Sequence, residues 1–190
     1  MSSIPDVSEA LARLATRVLG SPSAAGLQFH HQAGQVERAQ WESTDGKTVI
    51  RGSSGPAMGH TLQRYLREQA DTHLSWYGNR INRPASGRPP ARGDYTSWAR
   101  HRYFLNYCCF SYSLAHWDWP AWERLIDWMA LQGINRPLAV TGQEAVWQRV
   151  GHRLGLTAAE METFLAGPAY LPFGWMGCLD GWGGPLPEYW

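Results

Sequence analysis

The chain opens with an apolar stripe at helical spacing: Leu11, Leu14, Ala15, Val18 and Leu19. Asp6, with Glu9 three residues on, has capping-box spacing, and Gly20 and Pro22 close the run, so a helix is predicted. Three short strand-like runs follow, Leu27–His31, Val36–Ser43 and Lys47–Arg51, and Asp45-Gly46 between the last two is a hairpin-turn signal. The stretch RGSSGPAMG then leads into Met58, Leu62, Tyr65 and Leu66, again at helical spacing. Residues 6 to about 77 thus read as a small α/β unit. The glycines at 52, 55 and 59 lack the Gly-Lys-Ser/Thr of a phosphate loop, and a tight strand-to-helix turn accounts for them.

Residues 78–102 are rich in Pro, Gly and Arg and read as a linker. The pattern then changes. Tyr103–Phe110 is an aromatic run suited to a buried strand. Pro120 fits the first turn of a helix, with Asp118 or Trp119 as its cap. Trp122, Leu125, Ile126, Met129 and Ala130 supply one continuous apolar face, and Gly133 stops the helix. Pro137–Val140 suits a second strand. Thr141 and Glu144 have capping-box spacing ahead of a stripe at Val146, Val150 and Leu154, and Thr157 and Glu160 repeat the device ahead of Met161, Phe164 and Leu165.

Strand–helix–strand–helix order predicts parallel strands joined by a right-handed crossover, with the aromatic helix HWDWPAWERLIDWMAL against the sheet. Ligands in such folds gather beyond the carboxyl ends of the strands. Asn106 and Cys108 fall late in the first strand, on one face by their spacing of two, and Thr141, Gly142 and Gln143 follow the second. Two separated segments therefore converge on one end of the sheet.

Composition narrows the function classes. Lys+Arg 17 against Asp+Glu 16 argues against a nucleic-acid or membrane-surface protein. Eleven tryptophans fit either a buried aromatic core or platforms for the apolar faces of sugar rings. Cys108, Cys109 and Cys178 form neither a disulfide framework nor a zinc-ligand spacing. The N-terminus shows no continuous apolar signal core, so the chain is expected to stay where it is made. Glycoside hydrolysis needs two carboxyl groups flanking the scissile bond. Glu144 reads as a helix cap, Glu123 and Asp127 as solvated or paired, and Asp180 has no partner in sequence, so no convincing pair emerges.

The stretches NYCCFSYSLAHWDWPAWERLIDWMALQGIN (106–135), GQEAVWQRVGHRLGLT (142–157) and GPAYLPFGWMGCLDGWGGPLPEYW (167–190) resemble the alpha-N-acetylglucosaminidases, glycoside hydrolase family 89. VIRGSSGPAMGHTLQRYLREQADTHLSW resembles that family's small N-terminal domain. The resemblance implies an α/β chain: an N-terminal α/β domain with linker over 1–98, then the first two βα units of a (β/α)8 TIM barrel over 99–190. It implies removal of terminal α-linked N-acetylglucosamine with retention, without cofactor, in a compartment that is lysosomal for animal members. Asn106 and Cys108 match pocket-lining positions, and Gln143, Phe173 and Met176 fall in loops bordering the pocket. The family usually has tryptophan at Phe173 and asparagine at Cys178. Its two catalytic glutamates lie on later barrel strands, beyond Trp190. The expected role is therefore one wall of a sugar pocket that binds an N-acetylglucosamine-terminated glycan and is completed by the rest of the barrel. A non-catalytic sugar-binding module or a gene remnant is the alternative.

Overall fold

The structure is a computed structural model that describes residues 6–82, 89–139 and 142–165. In chain order the elements are α1 (Val7–Leu19), α2 (Ser21–Ala24), β1 (Leu27–His31), β2 (Arg38–Thr44), β3 (Lys47–Gly52), α3 (Gly55–Ala70), β4 (His73–Leu74), β5 (Asn79–Arg80), β6 (Ala91–Thr96), β7 (Tyr103–Phe104), α4 (Tyr107–Ser111), α5 (Trp119–Leu131), β8 (Arg136–Pro137), α6 (Gln143–Arg153) and α7 (Ala158–Phe164). Contacts divide the chain into two units: Met1–Tyr103 with Ala121–Arg136, and Phe104–Pro120 with Pro137–Trp190.

The first unit is built on a four-stranded sheet in the order β1-β3-β2-β6. β2 and β3 form the expected hairpin, with Thr44 opposite Lys47 and positive φ at both Asp45 and Gly46, the pairing that suits the twist of a two-residue turn. β1 runs parallel to β3, and β6 antiparallel to β2. Alternation along these strands sends Phe29, Ile50, Ala39 and Trp41 to one face. There they meet Leu11, Leu14, Ala15 and Leu19 of α1 and Met58, Leu62, Tyr65 and Leu66 of α3 in a single core. Trp41 packs edge-on against Tyr65, with ring centroids 5.1 Å apart.

Several expectations need correction here. Asp6 caps α1, but through the backbone N–H of Ser8, while Glu9 pairs with Arg13 instead of closing a box. The stretch read as linker contains β6, an edge strand of the sheet. Gly93 is needed there because a side chain would strike the Trp41 indole, and glycine weakens the strand signal. Gly52 and Gly55 do mark the strand-to-helix turn, and Ser54 caps α3 by accepting from Ala57 N–H. Gly59 serves another purpose: a Cβ there would lie 2.5 Å from the carbonyl oxygen of Ala130 in α5.

The aromatic helix is held by other helices. Its C-terminal half packs on α3 at Gly59, its Leu131 joins the core, and its Asp127 accepts two hydrogen bonds from Arg17 of α1, at 2.8 and 2.6 Å. Ile126, expected in the apolar stripe, is exposed, whereas Asp127 is buried. Gly133 ends the helix as anticipated: with φ +73 it lets its own N–H reach Ala130 and that of Ile134 reach Met129, a Schellman closure.

In the second unit, Leu105, Phe110, Leu114, Met161 and Leu165 are buried. α6 approaches α7 where Gly151 leaves room for the Met161 sulfur. The Thr157–Glu160 capping box forms as expected. The box expected ahead of α6 rests on Thr141, outside the described residues; the N-cap is Gly142, in the left-handed conformation with φ +82, and Glu144 is in the first turn. The stripe Val146, Val150, Leu154 lies exposed.

Candidate functional site

β7 and β8 pair in a two-stranded sheet. Arg136 N–H donates to Arg102 O, and Leu138 N–H donates to Phe104 O. The partners' numbers rise together, so the strands are parallel, as the strand–helix–strand reading requires. The segments after Phe104 and after Pro137 both leave the carboxyl ends of these strands.

The first segment turns at once. Leu105 has φ +71 although its side chain is bulky and only 6% exposed. A leucine in this region costs of order 1–3 kcal/mol, and such strain persists where the surroundings impose it, often at functional sites. The turn stops the strand at Phe104 and delivers Asn106 to the N-cap of α4. The Asn106 Oδ1 accepts from Cys109 N–H at 3.2 Å. This corrects the expectation that Asn106 and Cys108 share the face of a strand. They share one helical turn: Asn106 caps it, and Cys108, in its first turn, is exposed. The aromatic run NYCCF has strand composition, but asparagine ahead of it was a helix-start signal.

The second segment brings Gln143 to the first position of α6, directly after the left-handed Gly142. Val140 and Thr141 lie outside the described residues, as do Phe173, Met176, Cys178 and Asp180. Among the carboxylates of this unit, Glu160 is held by the backbone N–H and hydroxyl of Thr157, at 2.8 Å each. These hydrogen bonds keep its pKa below the ordinary carboxylate value. Among the described residues no group of three His, Cys, Asp or Glu is arranged to hold a metal ion.

Two profiles of one family match the chain: the alpha-N-acetylglucosaminidase N-terminal domain over residues 9–89 and the TIM-barrel domain of the same enzymes over residues 102–190. The chain belongs to the alpha-N-acetylglucosaminidase family. It is 50% identical over 143 residues to the human alpha-N-acetylglucosaminidase, a match covering 74% of this chain and 19% of that protein. It also resembles a family 89 glycoside hydrolase from Clostridium perfringens solved with 2-acetamido-1,2-dideoxynojirmycin. That match has 29% identity and a TM-score of 0.83, and covers 97% of this chain and 21% of the other. The same bacterial enzyme, with two glutamates replaced by glutamine, was solved with its substrate GlcNAc-alpha-1,4-galactose, again at 29% identity and TM-score 0.83 over 97% and 21% of the two chains. The chain therefore spans about a fifth of the length of these relatives. Its α/β architecture is that of the family's N-terminal domain and the opening of its TIM barrel.

Proposed function

We propose that residues 1–98 form the N-terminal domain and 99–190 the first part of the catalytic barrel of an alpha-N-acetylglucosaminidase, a retaining hydrolase of terminal α-linked N-acetylglucosamine. Asn106, Cys108 and Gln143, with Phe173 and Met176, then border the pocket for the N-acetylglucosamine ring. The nucleophile and the acid/base carboxyl come from the rest of the barrel. The observation that carries this reading is the strained Leu105 turn, which ends β7 and fixes Asn106 at the carboxyl end of a parallel strand, where barrel enzymes bind their ligands. The exposed stripe Val146, Val150, Leu154 supports it, as an apolar surface suited to cover by further barrel elements.

Turnover of an aryl α-N-acetylglucosaminide by the purified 190-residue chain tests the proposal. Retention needs two carboxyls about 5–5.5 Å apart, so the chain alone should show only background hydrolysis. Co-expression with the later barrel strands of a family member should restore it. Robust turnover by the chain alone, abolished by Glu144→Gln, would overturn the assignment of the chemistry to later strands.

A further inference from the structure

The first unit holds a polar cleft of about 500 Å³ on the side of the sheet remote from α1 and α3. Its walls include Gln32, Arg38, Gln40, Arg51, Asp94 and Thr96. Register explains how they gather. Gln40 stands opposite Arg51 on one side and Asp94 on the other, and Arg38 stands opposite Thr96. Arg38 and Gln40 are two apart on β2, so all five side chains rise from one face, opposite the buried Ala39 and Trp41.

Three features bear on what this cleft can hold. Among the described residues, neither the Arg38 nor the Arg51 guanidinium has an ion-pair partner, so both charges face the cleft uncompensated. The floor is fixed: the Ser53 hydroxyl donates to Val36 O and Arg38 O and accepts from Arg38 N–H, while Gln32 N–H donates to Gly52 O. The position also matters. β1 and β3 are parallel, and β3 and β6 are both antiparallel to β2, so the cleft lies where three strands present their carboxyl ends. Open α/β sheets bind ligands at that end.

We propose that this cleft, built wholly from residues of the first unit, is a ligand site that binds a sugar carrying a tetrahedral oxyanion ester, a phosphate or a sulfate. Arg38 and Arg51, diagonal neighbours on adjacent strands, take the oxyanion with charge-assisted hydrogen bonds. Gln40 and Asp94, which continue the cross-strand row of Arg51, take sugar hydroxyls.

The test is titration of the full 190-residue chain with glucose 6-phosphate, glucose 6-sulfate, glucose and inorganic sulfate, followed by calorimetry and by backbone amide NMR shifts. At least one ester should bind saturably with Kd below about 1 mM, and the preferred ester identifies the oxyanion. Shifts should centre on residues 32–34, 51–53 and 94–96. Arg38→Gln and Arg51→Gln, both on an open sheet face, should each lower affinity about tenfold. Asp94→Asn should weaken the ester and leave inorganic sulfate unchanged. Absence of saturable binding by both esters, shifts centred elsewhere in the wild-type chain, affinity indifferent to both arginine substitutions, or inorganic sulfate binding as tightly as the esters would each overturn the proposal.

Discussion

Arg102 Nη2 donates to Glu37 Oε1 at 2.6 Å, although 65 residues separate them and their side chains are only 13% and 20% exposed. Around this contact Arg102 also donates to Gly133 O, Ala99 O and the Ser97 hydroxyl, and Glu37 accepts from the Ser54 hydroxyl and Asn135 Nδ2. One ion pair thereby ties the residue before β2, the cap of α3 and the end of α5. Arg102→Ala should cost about 3–5 kcal/mol, because it strands a half-buried carboxylate. Glu37→Gln keeps the shape and should cost about 1–3 kcal/mol. Urea unfolding followed by tryptophan fluorescence measures both, and a loss under about 0.5 kcal/mol for Arg102→Ala, the range of ordinary surface changes, would reduce the node to a surface contact.

Acid should weaken the first unit in two stages. Burial lowers the His60 pKa, and Arg64, Arg102 and Arg67 lower it further against a raising backbone hydrogen bond at Leu131; its ring packs on Tyr95 at 4.4 Å. The unfolded chain then binds a proton that the folded chain resists. Stability is full above the unfolded value near pH 6.5 and falls as pH drops from there towards the lower folded value. For Glu37, burial pushes the carboxyl up, but hydrogen bonds from Arg102 and Ser54, the Arg102 charge and the Asn135 hydrogen bond together hold it below the ordinary range. Its contribution is present above about pH 4.5 and is lost as pH falls through the folded value. Urea midpoints against pH should show both stages. His60→Gln should flatten the first and leave the second, and Glu37→Gln should do the reverse. An unchanged slope between neutral pH and pH 5 in His60→Gln would remove His60 from this account.

Gly59→Ala sets helix propensity against packing. Alanine should gain up to about 1 kcal/mol in the interior of α3. Its Cβ would meet the Ala130 carbonyl oxygen at 2.5 Å, a backbone atom that moves only with α5. Overpacking typically costs about 1–3 kcal/mol, so net destabilisation is expected by thermal unfolding. Gly78→Ala, where a Cβ meets nothing within 4 Å, is the control. Stabilisation by Gly59→Ala would mean that α3 and α5 do not meet as described.

What the sequence made legible follows a physical rule. Local signals came through: the α1 stripe, the Asp45-Gly46 turn, the Thr157 box and the Gly133 stop all depend on residues within a few positions of each other. The misreadings depend on distant partners. Asp127 is buried because Arg17, 110 residues earlier, meets it, and no periodicity encodes that. β6 hid among prolines, glycines and arginines because its Gly93 is shaped by Trp41 of another strand. At the candidate site, the carboxyl-end placement of Asn106 and Gln143 was readable from element order. The left-handed Leu105 was not, since leucine carries no signal for that conformation.

Asn106 now has two separable roles, one observed and one proposed. Its side chain caps α4, and removing a cap typically costs about 1 kcal/mol. In the sugar pocket its amide would serve as a hydrogen-bond partner, whose loss from a desolvated site costs roughly 1–3 kcal/mol. Serine is as good a cap as asparagine but lacks the amide and its reach. Asn106→Ser should therefore keep thermal stability near wild type, whereas Asn106→Ala should lower it. In the barrel completed by co-expression, both variants should raise KM for the aryl α-N-acetylglucosaminide. Wild-type KM in Asn106→Ser, alongside a stability loss confined to Asn106→Ala, would leave Asn106 as a helix cap and remove it from the sugar pocket.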